Sequence, residues 1–176
     1  MCVVLDINIL SAVFSKQNAL HADFEPVGKW IISGKGKIVF GGTKYRDELR
    51  KARWMLGLLV ELGKMRKIVM LDDSMVDAAE RAARLIEGAA DFDDPHLVAI
   101  FRVSGCRLLC SHDIPAGKYV QQKRFYPATH TLPSIYKRRS HQTLLRDDMI
   151  ASCCKPCAAL LAAERKQIEA ILDLKH

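Results

Sequence analysis

This sequence predicts an α/β fold, a parallel β-sheet flanked by α-helices on both faces. Short apolar runs (CVVL, KIVF, KIVML and RLLCS) recur along the chain, with helix-period segments between them. That alternation is the pattern of a βαβ chain. The runs are largely apolar without alternation, as strands covered on both faces need to be. Acidic residues follow two of the runs, Asp6 directly after CVVL and Asp113 shortly after CRLLC. Ligands of open parallel sheets collect at the carboxyl ends of strands. With 176 residues, one domain with a substantial core is the default.

In chain order, CVVL is the first strand and NILSAVFS the helix after it. EPVGKWIISG is a second helix, ended by Gly34 and Gly36. KIVF is a strand closed by Gly41 and Gly42, and Thr43 is placed to cap the helix TKYRDELRK. WMLGLLVELGKM is apolar around much of its circumference and reads as a buried helix; KIVML is the next strand. In DSMVDAAERAARLIEG, the residues Met75, Ala78, Ala79, Ala82, Leu85 and Ile86 recur at helical spacing. Pro95 opens the helix DPHLVAIFRVSG at its favoured first position. After Asp113 the pattern weakens. AGKYVQQ reads as a short helix, and the stretch from Pro127 is basic and irregular. KPCAALLAAERKQIEAILDLKH reads as a final amphipathic helix with Pro156 in its first turn and a stripe of Leu160, Leu161, Ile168, Ile171 and Leu172. The expected organisation is a domain over residues 1–125 and a basic extension over 126–176.

The net charge is +7, which suits an anionic partner. Lys35, Lys37, Lys44, Arg46, Arg50, Lys51 and Arg53 surround Glu48. Lys118, Lys123, Arg124, Lys137, Arg138 and Arg139 follow Asp113. These are either solvated faces or a phosphate-tracking surface. Their coincidence with acids favours the second. The start of the chain carries Asp6 inside its apolar run with no basic leader, so no secretory signal is expected. WMLGLLVELG is too short for a membrane span and contains Glu61. The six cysteines read as free thiols in a reducing cytoplasm.

Four acids, Asp6, Glu48, Asp94 and Asp113, lie where apolar runs meet helix starts. Each has an ordinary explanation. Asp94 before Pro95 is a good N-cap, and Asp6 could cap the first helix. Glu48 could pair with Lys44 or Arg50, and Asp113 could sit in a turn. Taken together, they can converge on one sheet edge, where unneutralised carboxylates repel. A hard divalent cation with oxygen ligands relieves that repulsion, and metal-assisted phosphodiester hydrolysis needs such a site.

The runs VVLDINIL, GGTKYRDEL and DDPHLVAIFRVSGCRLLCSHD resemble the PIN-domain nucleases, which include the VapC-type ribonuclease toxins of bacterial toxin–antitoxin pairs. The resemblance spans about Val3 to the 120s. It implies a PIN-like fold with Asp6, Glu48, Asp94 and Asp113 as catalytic and metal-binding residues. Asn8 matches a polar position two after the first Asp, and Ser111 stands where Thr or Ser is common. Ile114 and Pro115 follow where a further acid is frequent. The implied activity is a metal-dependent endoribonuclease, using Mg²⁺ or Mn²⁺, that acts as the toxin of a toxin–antitoxin pair. The alternatives are an RNA-processing nuclease without antitoxin and a non-catalytic RNA-binding module. Expected partners are RNA, an antitoxin protein and a second copy of the chain, with no membrane. Asn8, Lys44, Arg46, Arg50, Lys137, Arg138 and Arg139 are the candidate RNA contacts.

Two motifs remain outside that reading. His96 lies two residues after Asp94; helical geometry turns it away, as a surface or groove histidine. Cys153, Cys154 and Cys157 form CCKPC, and His130 or His141 could complete a zinc site. No second paired knuckle supports zinc, so plain thiols are expected there. Tyr126 and Tyr136 lie among basic residues and read as packing aromatics more than base-stacking ones.

Overall fold

Every residue of strand β1 (Cys2–Leu5) is buried, and β1 is the middle strand of the sheet. It pairs in parallel with β2 (Lys37–Phe40) on one side and β4 (Leu108–Cys110) on the other. β3 (Ile68–Met70) extends the sheet beyond β2, and β5 (Ser134–Tyr136) extends it beyond β4, again in parallel. The strand order is therefore β3-β2-β1-β4-β5. This is a computed structural model, and it describes residues 2–147 and 151–173.

The chain walks outward from β1 to β3, then restarts at β4 on the opposite side of β1. Crossovers between parallel strands of one sheet are right-handed as a rule, which assigns the helices of the first walk to one face and those of the second to the other. The packing agrees. α1 (Leu10–Phe14) packs on α2 (His21–Ser33), and α8 (Ala162–Asp173) touches both α2 and α4 (Arg53–Lys64). α6 (Pro95–Ser104) packs against α5 (Asp73–Ile86) and α7 (Ile114–Val120). α3 (Thr43–Lys51) touches α4 and α5. The direction of the walk reverses between β1 and β4, and that is where doubly wound sheets leave a crevice.

Local chemistry sets the helices that border this crevice. Residues Pro95 to Phe101 of α6 are all buried. Pro95 supplies the preformed first turn, and Gly105 ends the helix in the left-handed region at φ 67°. Gly42 precedes α3 at φ 88°, and a Cβ there would sit 2.6 Å from Val76 Cγ1. Only glycine lets α3 approach α5 this closely. The sequence suggests Thr43 as the cap of α3. Instead Asp73 and Asp77 of α5 do the capping. The Gly42 N–H donates to Asp73 at 2.9 Å, and the Thr43 N–H donates to Asp77 at 2.8 Å.

Other expectations shift. On α5 the buried positions are Val76 and Ala83, while Met75 and Leu85 are exposed at 58% and 89%. The small Val and Ala face permits the close approach to α6, and the larger apolar side chains turn outward. On α4 the buried stripe is Met55, Leu58, Leu59 and Leu62, with Val60 exposed. The segment from residue 126 reads as an irregular extension, yet it supplies β5, whose Tyr136 is fully buried. The final helix begins at Ala162 rather than near Pro156, and its anchor is Ile168. Positions 148–150 and 174–176 of that segment lie outside the described residues.

At the amino end of the sheet, Lys67 is 1% exposed. Its ammonium donates to the carbonyls of Gly34 (2.8 Å), Ala158 (2.9 Å) and Gly36 (3.3 Å). Lys37 similarly donates to the Pro156 carbonyl at 2.7 Å. These lysines tie the segment around Pro156 to the sheet base. Burial holds the Lys67 amine down at about 8. Replacing it with Met strands carbonyls that cost about 1–3 kcal/mol each when buried unsatisfied, partly offset by no longer burying a charge. Lys67→Met is expected to lower unfolding free energy by about 2–4 kcal/mol in urea titration. An unchanged midpoint would contradict the clamp.

Candidate metal centre

The carboxyl ends of β1 and β4 carry Asp6 and the Ser111–Asp113 turn. Asp6 is 7% exposed. Its Oδ1 accepts from the Asn8 N–H at 3.1 Å and its Oδ2 from the Ser111 hydroxyl at 2.8 Å. Ser111 Oγ in turn accepts the Asp113 N–H at 2.9 Å. Ser111 thus links the ends of the two central strands through side chains. Burial raises the Asp6 carboxyl above the ordinary carboxylate value, opposed by the Ser111 and Asn8 hydrogen bonds and reinforced by the charges of Asp113 and Glu48.

Glu48 comes from α3, held in place by Tyr45 one turn earlier. Tyr45 is buried, stacks on Phe40 at 5.3 Å and donates its hydroxyl to the Leu5 carbonyl at 2.6 Å. Asp94 stands at the N-cap position of α6, yet its side chain makes no capping hydrogen bond. Its carboxyl is pushed up to about 6, first by burial and then by the charges of Asp6, Glu48 and Asp113. The four acids singled out in the sequence therefore share one electrostatic neighbourhood. A crevice of about 40 Å³ between Asp94 and Asp113, walled by Pro115, Ala116 and Tyr119, leaves room for an ion or a water.

The ordinary explanations hold in part. Asp6 and Asp113 do cap: Asp113 accepts the Ala116 N–H at 2.9 Å at the start of α7. Glu48 pairs with Lys44 at 3.1 Å. Asp94 is the exception, a carboxylate at a cap position with no cap to make. Asp93 is exposed while Asp94 is half-buried and faces the other acids. Asp91 accepts from the Tyr119 hydroxyl and pairs with Lys118 at 3.0 Å, outside the cluster.

His96 corrects the sequence reading. It is 2% exposed rather than a surface or groove residue. Its Nε2 lies 3.7 Å from Glu48 and its Nδ1 lies 3.9 Å from Asp94. Donor atoms of Glu48, Asp94 and His96 fall within 4.8 Å of one another. The expectation that His96 points away assumes a helical Asp94. The cap residue instead has φ −114° and ψ 51°, so its carboxylate swings toward the ring. Buried Nδ1 has no hydrogen-bond partner, an orphan that a cation or water would satisfy. Burial pushes the imidazole down to about 4, which keeps it neutral and able to donate a lone pair. These donors fit a divalent cation of the Mg²⁺ or Mn²⁺ kind: mostly oxygen, with one imidazole nitrogen.

The candidate RNA contacts are placed unevenly. Asn8 is exposed beside Asp6. Arg46 pairs with Asp73, and Arg50 pairs with Asp47 at 2.6 Å. Lys137, Arg138 and Arg139 directly follow β5, at the same sheet edge as Asp6. Arg139 is engaged by Glu25 at 3.5 Å and by Asp23, whereas Arg138 is exposed. A scan against protein-family models and searches of curated proteins and of solved structures find no match to this chain.

The raised Asp94 carboxyl yields a pH prediction. Its folded value of about 6 lies above the ordinary 3.8, so its contribution to stability is full below the lower value and is lost as pH rises through the upper one. In chelator, wild type should lose roughly 2 kcal/mol relative to Asp94→Asn between about pH 4 and pH 6.5. Urea unfolding at each pH measures the difference; curves that stay parallel would refute the repulsion.

Proposed function

We propose that this chain is a metal-dependent endoribonuclease that hydrolyses RNA phosphodiester bonds with Mg²⁺ or Mn²⁺. Its role as the toxin of a toxin–antitoxin pair, with an antitoxin as protein partner, is part of the proposal and rests on the PIN-like resemblance. The observation that carries the reading is Asp94: a carboxylate that caps nothing, faces three other acids and is raised first by burial and then by their charges. A protein that only bound phosphate would gain nothing from four convergent carboxylates.

Asp6, Glu48, Asp94 and Asp113 would hold the cation, with the neutral His96 ring beside Glu48 and Asp94. When bound, the cation supplies Lewis acidity toward water and the phosphoryl oxygens. The chain's own residues do the positioning. Ser111 and the Asn8 N–H fix both oxygens of Asp6. Tyr45 fixes α3, and with it Glu48, to the end of β1. Lys44, Arg46 and Arg50 are held in surface ion pairs of small value, which an RNA phosphate can displace. Arg138 offers a cation at the other end of the same edge.

Incubating the chain with mixed RNAs, with and without Mn²⁺, is expected to give cuts only with the ion. Asp94→Asn should cut at least about 100-fold more slowly with an unchanged far-UV spectrum, since even outer partners of metal ligands are worth 10–100-fold. Full activity in that variant would contradict the proposal. RNA bound but uncut at any metal concentration would indicate the non-catalytic binding module instead.

The basic edge has its own test. Each phosphate contact adds about 0.7 to the log–log salt slope of single-strand binding. Arg138→Ala is expected to flatten that slope by about 0.7, and Arg139→Ala less, because Arg139 already pairs with Glu25. Overlaid slopes for wild type and Arg138→Ala would remove this edge from the RNA path.

A further inference from the structure

A second cluster of metal-binding side chains lies at the opposite end of the central strands. Cys2 opens β1, and Cys106 sits just before β4. Cys153 and Cys154 come from the single helical turn Ser152–Cys154. Sequence reading expects free thiols here, but the structure joins Cys2 to Cys154 in a disulfide. Cys106 lies with that pair, all three sulfurs being within 4.8 Å of one another and all three residues buried. Cys153 completes a quartet. Its sulfur is 3.6 Å from that of Cys154 and donates at 3.3 Å to the carbonyl of Ser104, whose hydroxyl accepts the Cys106 N–H. Cys157 is turned aside to the Cys154 carbonyl at 2.9 Å, and Cys110 is a separate buried thiol in β4.

We propose that in the reduced protein Cys2, Cys106, Cys153 and Cys154 bind a zinc ion, and that the Cys2–Cys154 disulfide is the alternative, metal-free state of the same sulfurs. A zinc–sulfur bond of about 2.3 Å sets tetrahedral sulfur separations near 3.8 Å. The Cys153 and Cys154 sulfurs are 3.6 Å apart and Cys106 lies within 4.8 Å of Cys2 and Cys154, so once the disulfide is opened side-chain rotation can bring the four sulfurs around one ion. Thiolates select soft metals, in contrast to the oxygen-rich acidic centre.

The surroundings supply an independent reason. Four thiolates around Zn²⁺ carry a net charge of about −2. Lys37 and Lys67 are buried beside this segment and hydrogen-bond only to backbone carbonyls; among the described residues neither forms an ion pair. A buried cation without a counterion is costly. Lys37 pairs in register with Cys2 and its charge acts on the Cys153 thiol, so a zinc–thiolate centre is an anionic neighbour for it, whereas Lys67 stands farther off, just before β3. The two states exclude each other, because Cys2 and Cys154 are partners in one and ligands in the other. A thiol reductant converts between them. Two reductant thiols become one disulfide, the Cys2–Cys154 bond becomes two cysteine thiols, and the ion displaces the protons of the thiols it binds. The ion would pin the chain's C-terminal segment to the base of β1 and β4.

The test uses the full chain, reduced with a phosphine and titrated anaerobically with Co²⁺, then Zn²⁺. The expected result is thiolate-to-cobalt charge transfer and tetrahedral d–d bands saturating at about one ion per chain, bleached by zinc. With the acidic centre removed by Asp6→Asn and Asp94→Asn, zinc should raise the melting temperature of the reduced protein and leave the oxidised protein unmoved. Asp94→Asn and Cys110→Ser should keep the bands, and Cys2→Ser with Cys106→Ser should lose them. Absence of the bands in reduced wild type would overturn the proposal. So would bands that persist unchanged in the double cysteine variant.

Discussion

Mutual repulsion among carboxylates at the reversal point of the sheet is the constraint on which the site depends. Asp6, Glu48, Asp94 and Asp113 come from four different parts of the chain, and the charges of the other three bear on Asp94. Gathering them is unfavourable until a cation or a proton sits among them. The scaffold works against that repulsion. Asp6 is held at both oxygens, and Ser111 couples the end of β4 to the end of β1. Tyr45 locks α3 onto the Leu5 carbonyl while stacking on Phe40. Gly42 and the aspartates of α5 hold the start of α3 where it is.

Much of this frame is legible in the sequence because its signals are local. CVVL, KIVF and the apolar runs before Asp72 and Ser111 become strands almost where they are read. Pro95 and Gly105 bracket α6 through backbone preferences that need no partner. Asp6, Asp94 and Asp113 are also legible, standing just after a strand or at a helix start, whereas Glu48 lies in the second turn of α3. What is lost depends on tertiary contacts. β5 has only three residues and is a strand because Tyr136 buries itself beside β4. The buried face of α5 is the one that fits α6, not the one with the largest apolar side chains. His96 is misread because a single non-helical residue, Asp94, breaks the helical arithmetic that separates them. No sequence signal brings Cys2 beside Cys154, which lie 152 residues apart.

The two ends of β1 and β4 carry opposite coordination chemistry. The carboxyl end gathers oxygen ligands with one imidazole and suits a hard cation; the amino end gathers thiols and suits a soft one. The strands between them are short and fully buried. Nothing polar in β1 connects the two clusters, so loss of one should leave the other intact. The same separation puts the proposed hydrolytic site at one end and the anchoring of the chain's C-terminal segment at the other. Among the described residues, no helix is long and apolar enough to cross a membrane.

Direct observation of the ion decides the central claim. Titrating the chain with Mn²⁺ and following the paramagnetic resonance signal of the free ion reports binding without any substrate. A cation held among these carboxylates predicts that the free signal is suppressed until about one or two ions per chain are bound, and that Asp6→Asn combined with Asp94→Asn abolishes the suppression. A free-ion signal that grows from the first addition in wild type, identical to that of the double variant, would contradict it.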